Sequence, residues 1–392
     1  YGYGSDGMVR AGKSLISMIG NNTENYVQGY FQYDSKKSGG VTIGHLRFDE
    51  KPIRSTYYVE KPEMIVITKD QYLDSFDVFS KIKENGIFLI NTIYNEQELN
   101  KKIPTKMKQI IRDRHCKVYI VNAYEIAFRS NLKNKISMIM EASILHLMNL
   151  LGEKEWQLYL QEDIKHKFLK KGMDVVDANM SAINMTLDKI QEISIDLEPT
   201  FDLDENDSQV VSMMMKRRGE ELPTSAFLKN NDGVFPSGTS TLEKRGIANV
   251  VPSWISSNCI NCNQCSLVCP HGVIRPFLLS EEEFHRAPIE VQNRAVKPFG
   301  RGLDHYYFLL AISVKDCTGC GLCMSICPGY KLQKALTPKS IKEELYQQEQ
   351  SIFDYASKNI SYKTELDATL FTVKNSQFKE PKFQFSGACA GC

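Results

Sequence analysis

Between residues 57 and 150, short apolar runs alternate with longer stretches whose apolar positions recur at helical spacing. Met64–Thr68, Gly86–Thr92 and Lys117–Ala123 read as buried strands, and Asp70–Lys83, Glu96–Asp113 and Lys133–Leu151 as the helices between and after them. Alternation of this kind predicts a parallel sheet covered by helices. Upstream, Val9, Leu15, Ile16 and Ile19 predict a helix that follows a glycine-rich turn. Residues 152–197 read as helical and charged, and the acidic run Asp202–Asp207 reads as a linker. Loop punctuation through 208–251, including Asp232-Gly-Val-Phe-Pro236-Ser-Gly238, predicts a small irregular module. A strand-like run at Tyr306–Leu310 and a Lys/Gln/Glu-rich helical segment at 339–358 complete the pattern.

Cysteine placement changes this picture most. Eight of the eleven cysteines form one pattern twice: Cys259, Cys262, Cys265 and Cys269-Pro270, then Cys317, Cys320, Cys323 and Cys327-Pro328. Each copy reads C-x2-C-x2-C-x3-C-P, the bacterial-ferredoxin spacing for a cubane cluster. Three closely spaced thiolates wrap three corners of one [4Fe–4S] cluster, and the fourth Cys reaches the other. The expected ligand sets are Cys259, Cys262, Cys265, Cys327 and Cys317, Cys320, Cys323, Cys269. The competing reading is a pair of four-cysteine zinc sites, which favour separated C-x2-C pairs over three cysteines in tandem. The 47 residues of 270–316 lie between the motifs as an insertion. A further C-x2-C, Cys389 and Cys392, ends the chain, and two thiolates cannot complete a site. The expected fold class is α/β: a three-layer parallel-sheet domain, a small irregular module, and an α+β ferredoxin-like domain with two [4Fe–4S] clusters.

Charge and composition exclude rather than identify. A formal net charge of +1 marks neither a nucleic-acid binder nor a membrane-surface protein. Apolar runs never reach the 18 residues of a membrane span. Thiolate ligands need a reducing compartment, so an intracellular location is expected. Tyr1 sits inside a turn motif and Cys392 inside a cysteine motif, so the chain is expected to be a fragment of a longer protein.

Two stretches suggest anion binding. Gly7 to Ser14 satisfies G-x4-G-K-S, the phosphate loop of P-loop NTPases, which requires a preceding strand and a following helix. Its second acidic ligand is missing, and Met64–Asp70 is a poor substitute. More generally, a glycine turn opening a helix offers free N–H groups and a positive dipole end to phosphates. Lys36 and Lys37, ahead of Ser38-Gly39-Gly40, could add charge for the same ligand or form a solvated basic turn.

Gly4-Ser-Asp-Gly7, Tyr33-Asp-Ser-Lys-Lys-Ser-Gly-Gly40, His45-Leu-Arg47-Phe, the doubled cysteine motif and Phe385-Ser-Gly-Ala-Cys389-Ala-Gly-Cys392 occur together in one family. Along essentially its whole length the chain resembles the central portion of pyruvate:ferredoxin (flavodoxin) oxidoreductases. The resemblance implies a coenzyme A-binding domain at 1–205, a linker module at 206–251 and a two-cluster domain at 252–335. Residues 336–392 would be a connecting helix and the start of a thiamine diphosphate domain. It implies coenzyme A contacts at Gly4, Ser5, Asp6, Gly7, Met8, Lys36 and Asn179, and at Ser137, where the family usually has Asn. The family usually has Asn-Lys at Gly12-Lys13, which makes the P-loop match an accident of one substitution. Cys389 and Cys392 would be two of four ligands to a third [4Fe–4S] cluster beside thiamine diphosphate and Mg2+. The implied reaction is oxidative decarboxylation of pyruvate to acetyl-coenzyme A and carbon dioxide, with electrons passing to ferredoxin or flavodoxin. The full-length protein would be a homodimer, in the cytoplasm or in a hydrogenosome-type organelle, and no catalytic residue is assigned in this stretch. The alternatives are an enzyme for another 2-oxo acid, a non-catalytic iron–sulfur electron-transfer subunit, and a cluster-coupled P-loop ATPase.

Overall fold

The three apolar runs become neighbouring strands in the computed structural model, each within a residue or two of its expected limits. The structure describes residues 1–4, 6–34, 40–132, 135–148, 150–202, 210–235, 237–342, 345–366 and 372–388. Ser5, Lys36, Cys389 and Cys392 lie outside the described residues. The chain divides into two units, 1–233 and 234–392.

The first unit opens with β1 (Gly2–Tyr3), α1 (Met8–Asn22), β2 (Tyr26–Tyr33) and β3 (Val41–Asp49). β3 lies antiparallel between β1 and β2. Then follow β4 (Met64–Ile67), α2 (Tyr72–Ser75), β5 (Ile87–Asn91), α3 (Glu96–Asn100), α4 (Thr105–Asp113) and β6 (Lys117–Val121). The unit continues with α5 (Ala123–Arg129), α6 (Ser137–Met148), α7 (Glu153–Phe168), α8 (Met173–Lys189), β7 (Gln191–Ile193) and α9 (Val210–Met215). β4, β5 and β6 are parallel, as their apolar patterns predict, but β7 adds to β6 antiparallel and makes the sheet mixed. With only three residues, two of them exposed, β7 carries no periodicity to read.

Two expected helices are broken for local reasons. Of Asp70–Lys83, only Tyr72–Ser75 is helical. The Asp77 carboxylate accepts from the N–H groups of Phe79 (3.2 Å) and Ser80 (2.9 Å), which draws that backbone into a turn. Glu96–Asp113 separates into α3 and α4 at Pro104, which has no N–H for a continuing helix.

α6 is buried from Met138 to Leu145. That burial encloses Glu141, 0 % exposed, with neither carboxylate oxygen hydrogen-bonded. Desolvation pushes its carboxyl up to about 7. A raised folded value means that the protonated form supports the fold. The support is full below the ordinary glutamate range and is lost as pH rises to about 7. Glu141→Gln should therefore melt higher than the parent, by a margin that widens from about pH 5 to about pH 7.5 and reaches on the order of 2–3 kcal/mol. Thermal unfolding at both pH values checks this, and an equal margin at both would contradict it.

The second unit repeats strand, cysteine motif, short helix, strand. The first copy is β8 (Val250–Trp254), α10 (Gln264–Val268) and β9 (Ile274–Leu279), and the second is β10 (Tyr307–Ile312), α13 (Leu322–Ile326) and β11 (Leu336–Ser340). β8 pairs antiparallel with β11 and β9 with β10, so the outer strands close on each other around the inner hairpin. The insertion between β9 and β10 forms α11 (Glu281–Arg286) and α12 (Ile289–Arg294). Ser280 caps α11 reciprocally with Glu283. β9 itself was not apparent from the pattern: Arg275 and Pro276 interrupt its apolar run, although all six residues are buried. α14 (Leu345–Asn359) and α15 (Val373–Lys379) complete the unit.

Candidate functional sites

Each short helix carries the third cysteine of a motif and ends just before the fourth, and α10 packs against α13. The result is two small spaces, each ringed by four cysteines. Cys259, Cys262, Cys265 and Cys327 line one, backed by Trp254, Phe308 and Leu310. Cys269, Cys317, Cys320 and Cys323 line the other. Each space thus takes three cysteines from one motif and the last from the other, the crossed grouping that the spacing predicts. All nine described cysteines are free thiols. Among the described residues no three His, Cys, Asp or Glu side chains meet closely enough for a single metal ion. The thiols ring a space instead.

The loops between the cysteines follow one backbone plan. Asn261 (φ 53°) and Asn263 (φ 56°) in the first motif match Gly319 (φ 69°) and Gly321 (φ 76°) in the second, at the same offsets from the leading Cys. Left-handed backbone at these points favours Gly and Asn. It turns the N–H of Asn261 onto Cys259 Sγ and that of Gly319 onto Cys317 Sγ, each at 3.4 Å. Ala335 N–H donates to Cys327 Sγ at the same distance. Such bonds stabilise negative sulfur and tune a cluster's potential.

Without metal, these sulfurs oppose ionisation. Burial, with the neighbouring thiols adding to it, pushes Cys317 and Cys323 up to about 12 and Cys265 well above the ordinary thiol range. Cys259 is raised as well, again by burial first. A cluster's iron charge reverses this balance, because a metal-bound thiol is deprotonated outright. Donor type, number and enclosure therefore fit a four-iron cluster in each space.

In the first unit, the Gly4–Met8 turn is braced from within. Asp6 accepts from Tyr3 N–H (2.9 Å) and Thr68 Oγ1 (2.8 Å) through one oxygen, and from Met8 N–H (2.9 Å) through the other. Desolvation raises its carboxyl above the usual range. The side chain thus holds the turn's shape. Gly7 (φ 90°) lies at the N-terminus of α1. A Cβ on Gly7 would lie 2.9 Å from Cβ of Ser137, the first residue of α6. Two positive helix ends therefore meet at this turn. Gly4 N–H donates to Gly40 O (3.0 Å), which ties the turn to the residue before β3. Asn179 is not joined to this group by any described hydrogen bond. It is buried in α8, and its Nδ2 donates to Val175 O at 2.7 Å.

The P-loop reading fails on this geometry. Gly12 and Lys13 lie inside α1 and not in a loop, and β1 is a two-residue antiparallel strand. Gly12 packs on the Phe31 ring and Lys13 points to solvent. Ser14 is held by Asp163 (3.2 Å) and Lys167 (2.9 Å) of α7. Asp70, beyond the end of β4, is buried and accepts from Thr92 Oγ1 at 2.7 Å.

Sequence patterns missed Lys69, buried beside that turn between the rings of Tyr3 (4.9 Å) and Tyr124 (4.4 Å). Burial pushes its ammonium down to about 8. A lysine after an apolar strand reads as a surface charge until the fold places aromatic rings around it.

These features define a class: an α/β unit with a glycine turn at a helix N-terminus, followed in sequence by an iron–sulfur unit for two clusters. Residues 1–189 match the pyruvate ferredoxin/flavodoxin oxidoreductase domain, 206–248 match EKR, a domain of unknown function, and 258–331 match the 4Fe-4S dicluster domain. Residues 1–189 thus carry the pyruvate ferredoxin/flavodoxin oxidoreductase domain, and the whole chain is similar to the central part of proteins of that name. It is 38 % identical over 406 residues to the pyruvate-flavodoxin oxidoreductase of Enterobacter agglomerans, covering all of this chain and 33 % of that protein. Identity is also 38 % to the pyruvate:ferredoxin oxidoreductase of Moorella thermoacetica, with 34 % of that protein covered. The pyruvate dehydrogenase [NADP(+)] of Cryptosporidium parvum is 35 % identical, with 22 % of it covered. The chain therefore spans about a third or less of the length of these relatives.

Proposed function

We propose that this chain is the coenzyme A-binding and electron-carrying portion of an enzyme that oxidatively decarboxylates pyruvate to acetyl-coenzyme A and carbon dioxide. Similarity along the whole chain to pyruvate oxidoreductases supports this. The observation that carries it is the crossed pair of four-cysteine spaces in a chain that also has a unit with an anion-type turn. A carrier subunit alone needs no such unit.

The Gly4–Met8 turn, with Ser137 opposite, would receive the phosphates of coenzyme A at two helix ends. Lys36 would add charge, and Asn179 would contact the coenzyme from α8. Cys259, Cys262, Cys265 and Cys327 would hold one [4Fe–4S] cluster, and Cys317, Cys320, Cys323 and Cys269 the second. Bound clusters supply one-electron transfer. Cys389 and Cys392 would contribute to a third site completed by residues outside this chain. Thiamine diphosphate with Mg2+, held elsewhere in the full-length protein, supplies the carbanion chemistry. The acceptor would be ferredoxin or flavodoxin, the working form a homodimer, and the compartment a reducing one, cytoplasmic or in an anaerobic organelle.

Full-length protein assayed without oxygen should reduce ferredoxin or flavodoxin only when pyruvate and coenzyme A are both present. Residues 1–392 alone should show no turnover. Turnover by those residues alone, or a preference for a different 2-oxo acid, would overturn the reading.

A further inference from the structure

The EKR stretch, a domain of unknown function, ends in Glu243-Lys244-Arg245 and a short extension. We propose that Lys244 and Arg245 are positioning residues that clamp the main chain entering Cys389 onto the second cysteine motif. The proposal rests on the reading above that Cys389 and Cys392 ligate a cluster.

The clamp centres on Asp316, the residue before Cys317, whose side chain is wholly enclosed. One carboxylate oxygen accepts three bonds: from Lys244 Nζ (2.7 Å), Ser313 Oγ (2.7 Å) and Ser386 Oγ (2.6 Å). Arg245 Nη1 donates to Gly387 O at 2.5 Å. Gly246 N–H donates to Lys315 O at 2.7 Å, so the basic pair is tied to the same strand end. On the far side, Gly387 N–H donates to His271 O (2.8 Å), and the His271 ring meets Ala388 O through Nδ1 (3.1 Å). Because a carbonyl only accepts, Nδ1 carries the proton. Gly387 (φ 87°) has no room for a side chain: a Cβ would lie 2.9 Å from Asp316 Oδ1 and 3.0 Å from Arg245 Nη1.

Ser386, Gly387 and Ala388 are thus each bonded, and the anchors are chemically paired with ligand positions. Asp316 precedes Cys317, His271 follows Cys269 by two residues, and Ala388 precedes Cys389. From Cys269 the path to Cys389 is main chain through Pro270 to His271, one hydrogen bond, and main chain through Ala388. A tail docked only for stability could use any surface, but this one is fastened to both ends of the space ringed by Cys269, Cys317, Cys320 and Cys323. Lys244 and Arg245 set the position of the third site relative to that cluster.

The test uses full-length, cluster-loaded protein carrying Arg245→Gln, Arg245→Lys or Gly387→Ala. Two quantities are read: hydrogen exchange at the Gly387 amide, and the magnetic interaction between reduced clusters by EPR. Arg245→Gln should speed exchange at Gly387 on the order of tenfold, the effect of losing one charge-assisted bond. It should also weaken the interaction between the third cluster and its neighbour while iron content stays at the parent level. Arg245→Lys should retain most of both, and Gly387→Ala should resemble Arg245→Gln. Unchanged exchange overturns the clamp. Faster exchange with an unaltered magnetic interaction overturns the positioning role. A parent protein without a third cluster overturns the ligand reading and this proposal with it. Exchange at Gly387 separates the two failures, because a clamp that exists still protects that amide.

Discussion

In protein made of residues 1–392 alone, Cys269→Ala is expected to remove about half the iron, from roughly eight to roughly four per chain, and the lost cluster should be that of the opposite motif. The reason is the crossed arrangement. Cys269 lies in the first motif by sequence, but its thiol lines the space of Cys317, Cys320 and Cys323. Cys327 belongs in the same way to Cys259, Cys262 and Cys265. Substituting Cys269 leaves the second motif with three thiolates and the first with its full set. The fold should persist, since the β9·β10 and β8·β11 pairings involve neither cysteine. Cys327→Ala should produce the reciprocal loss. EPR of the reduced proteins distinguishes the two remaining clusters by the environments of their sulfurs. The first cluster has Asn261 and Ala335 N–H groups on Cys259 and Cys327, and the second has Gly319 N–H on Cys317. If each motif filled its own site, Cys269→Ala would instead remove the first cluster and spare the second.

Gly7→Ala should weaken coenzyme A binding at least tenfold, about 1.4 kcal/mol, whereas Lys13→Ala should leave it unchanged. At φ 90° an L-residue is strained by about 1–2 kcal/mol. The new methyl would also press on Ser137 at 2.9 Å and drive apart the starts of α1 and α6. Both effects fall on the backbone donors that, in the proposed reading, the turn would offer to phosphate. Lys13 points to solvent from the middle of α1, so its removal leaves the turn alone. Calorimetric titration with coenzyme A and with ATP separates this account from the phosphate-loop one. Loss of ATP binding in Lys13→Ala, with Gly7→Ala binding coenzyme A normally, would restore the latter.

What the sequence disclosed was local and periodic. Ligand spacing alone predicted the two cysteine groups, because thiolate number and separation are set by the cluster. The parallel strands were legible because buried strands are continuous apolar runs. The P-loop match shows the limit of a pattern. Gly12 and Lys13 satisfy the letters, but the helix starts at Met8 and has already absorbed them. Strand β9 was hidden by Arg275, whose guanidinium is satisfied far along the chain by Phe383 O at 2.8 Å. The left-handed Asn261 and Asn263 could have been inferred, since glycines stand at the matching positions of the second motif. The contacts among Lys244, Asp316 and Gly387 could not, because no periodic pattern links residues so distant in sequence.

What the doubled motif holds decides whether the chain carries electrons. Iron, sulfide and zinc should be counted in residues 1–392 and in their Cys269→Ala variant, both reconstituted without oxygen, with EPR of the reduced forms. The expected result is roughly eight irons falling to roughly four, no zinc, and survival of the cluster bound by Cys259, Cys262, Cys265 and Cys327. Stoichiometric zinc, four irons in the parent, or survival of the other cluster would contradict it.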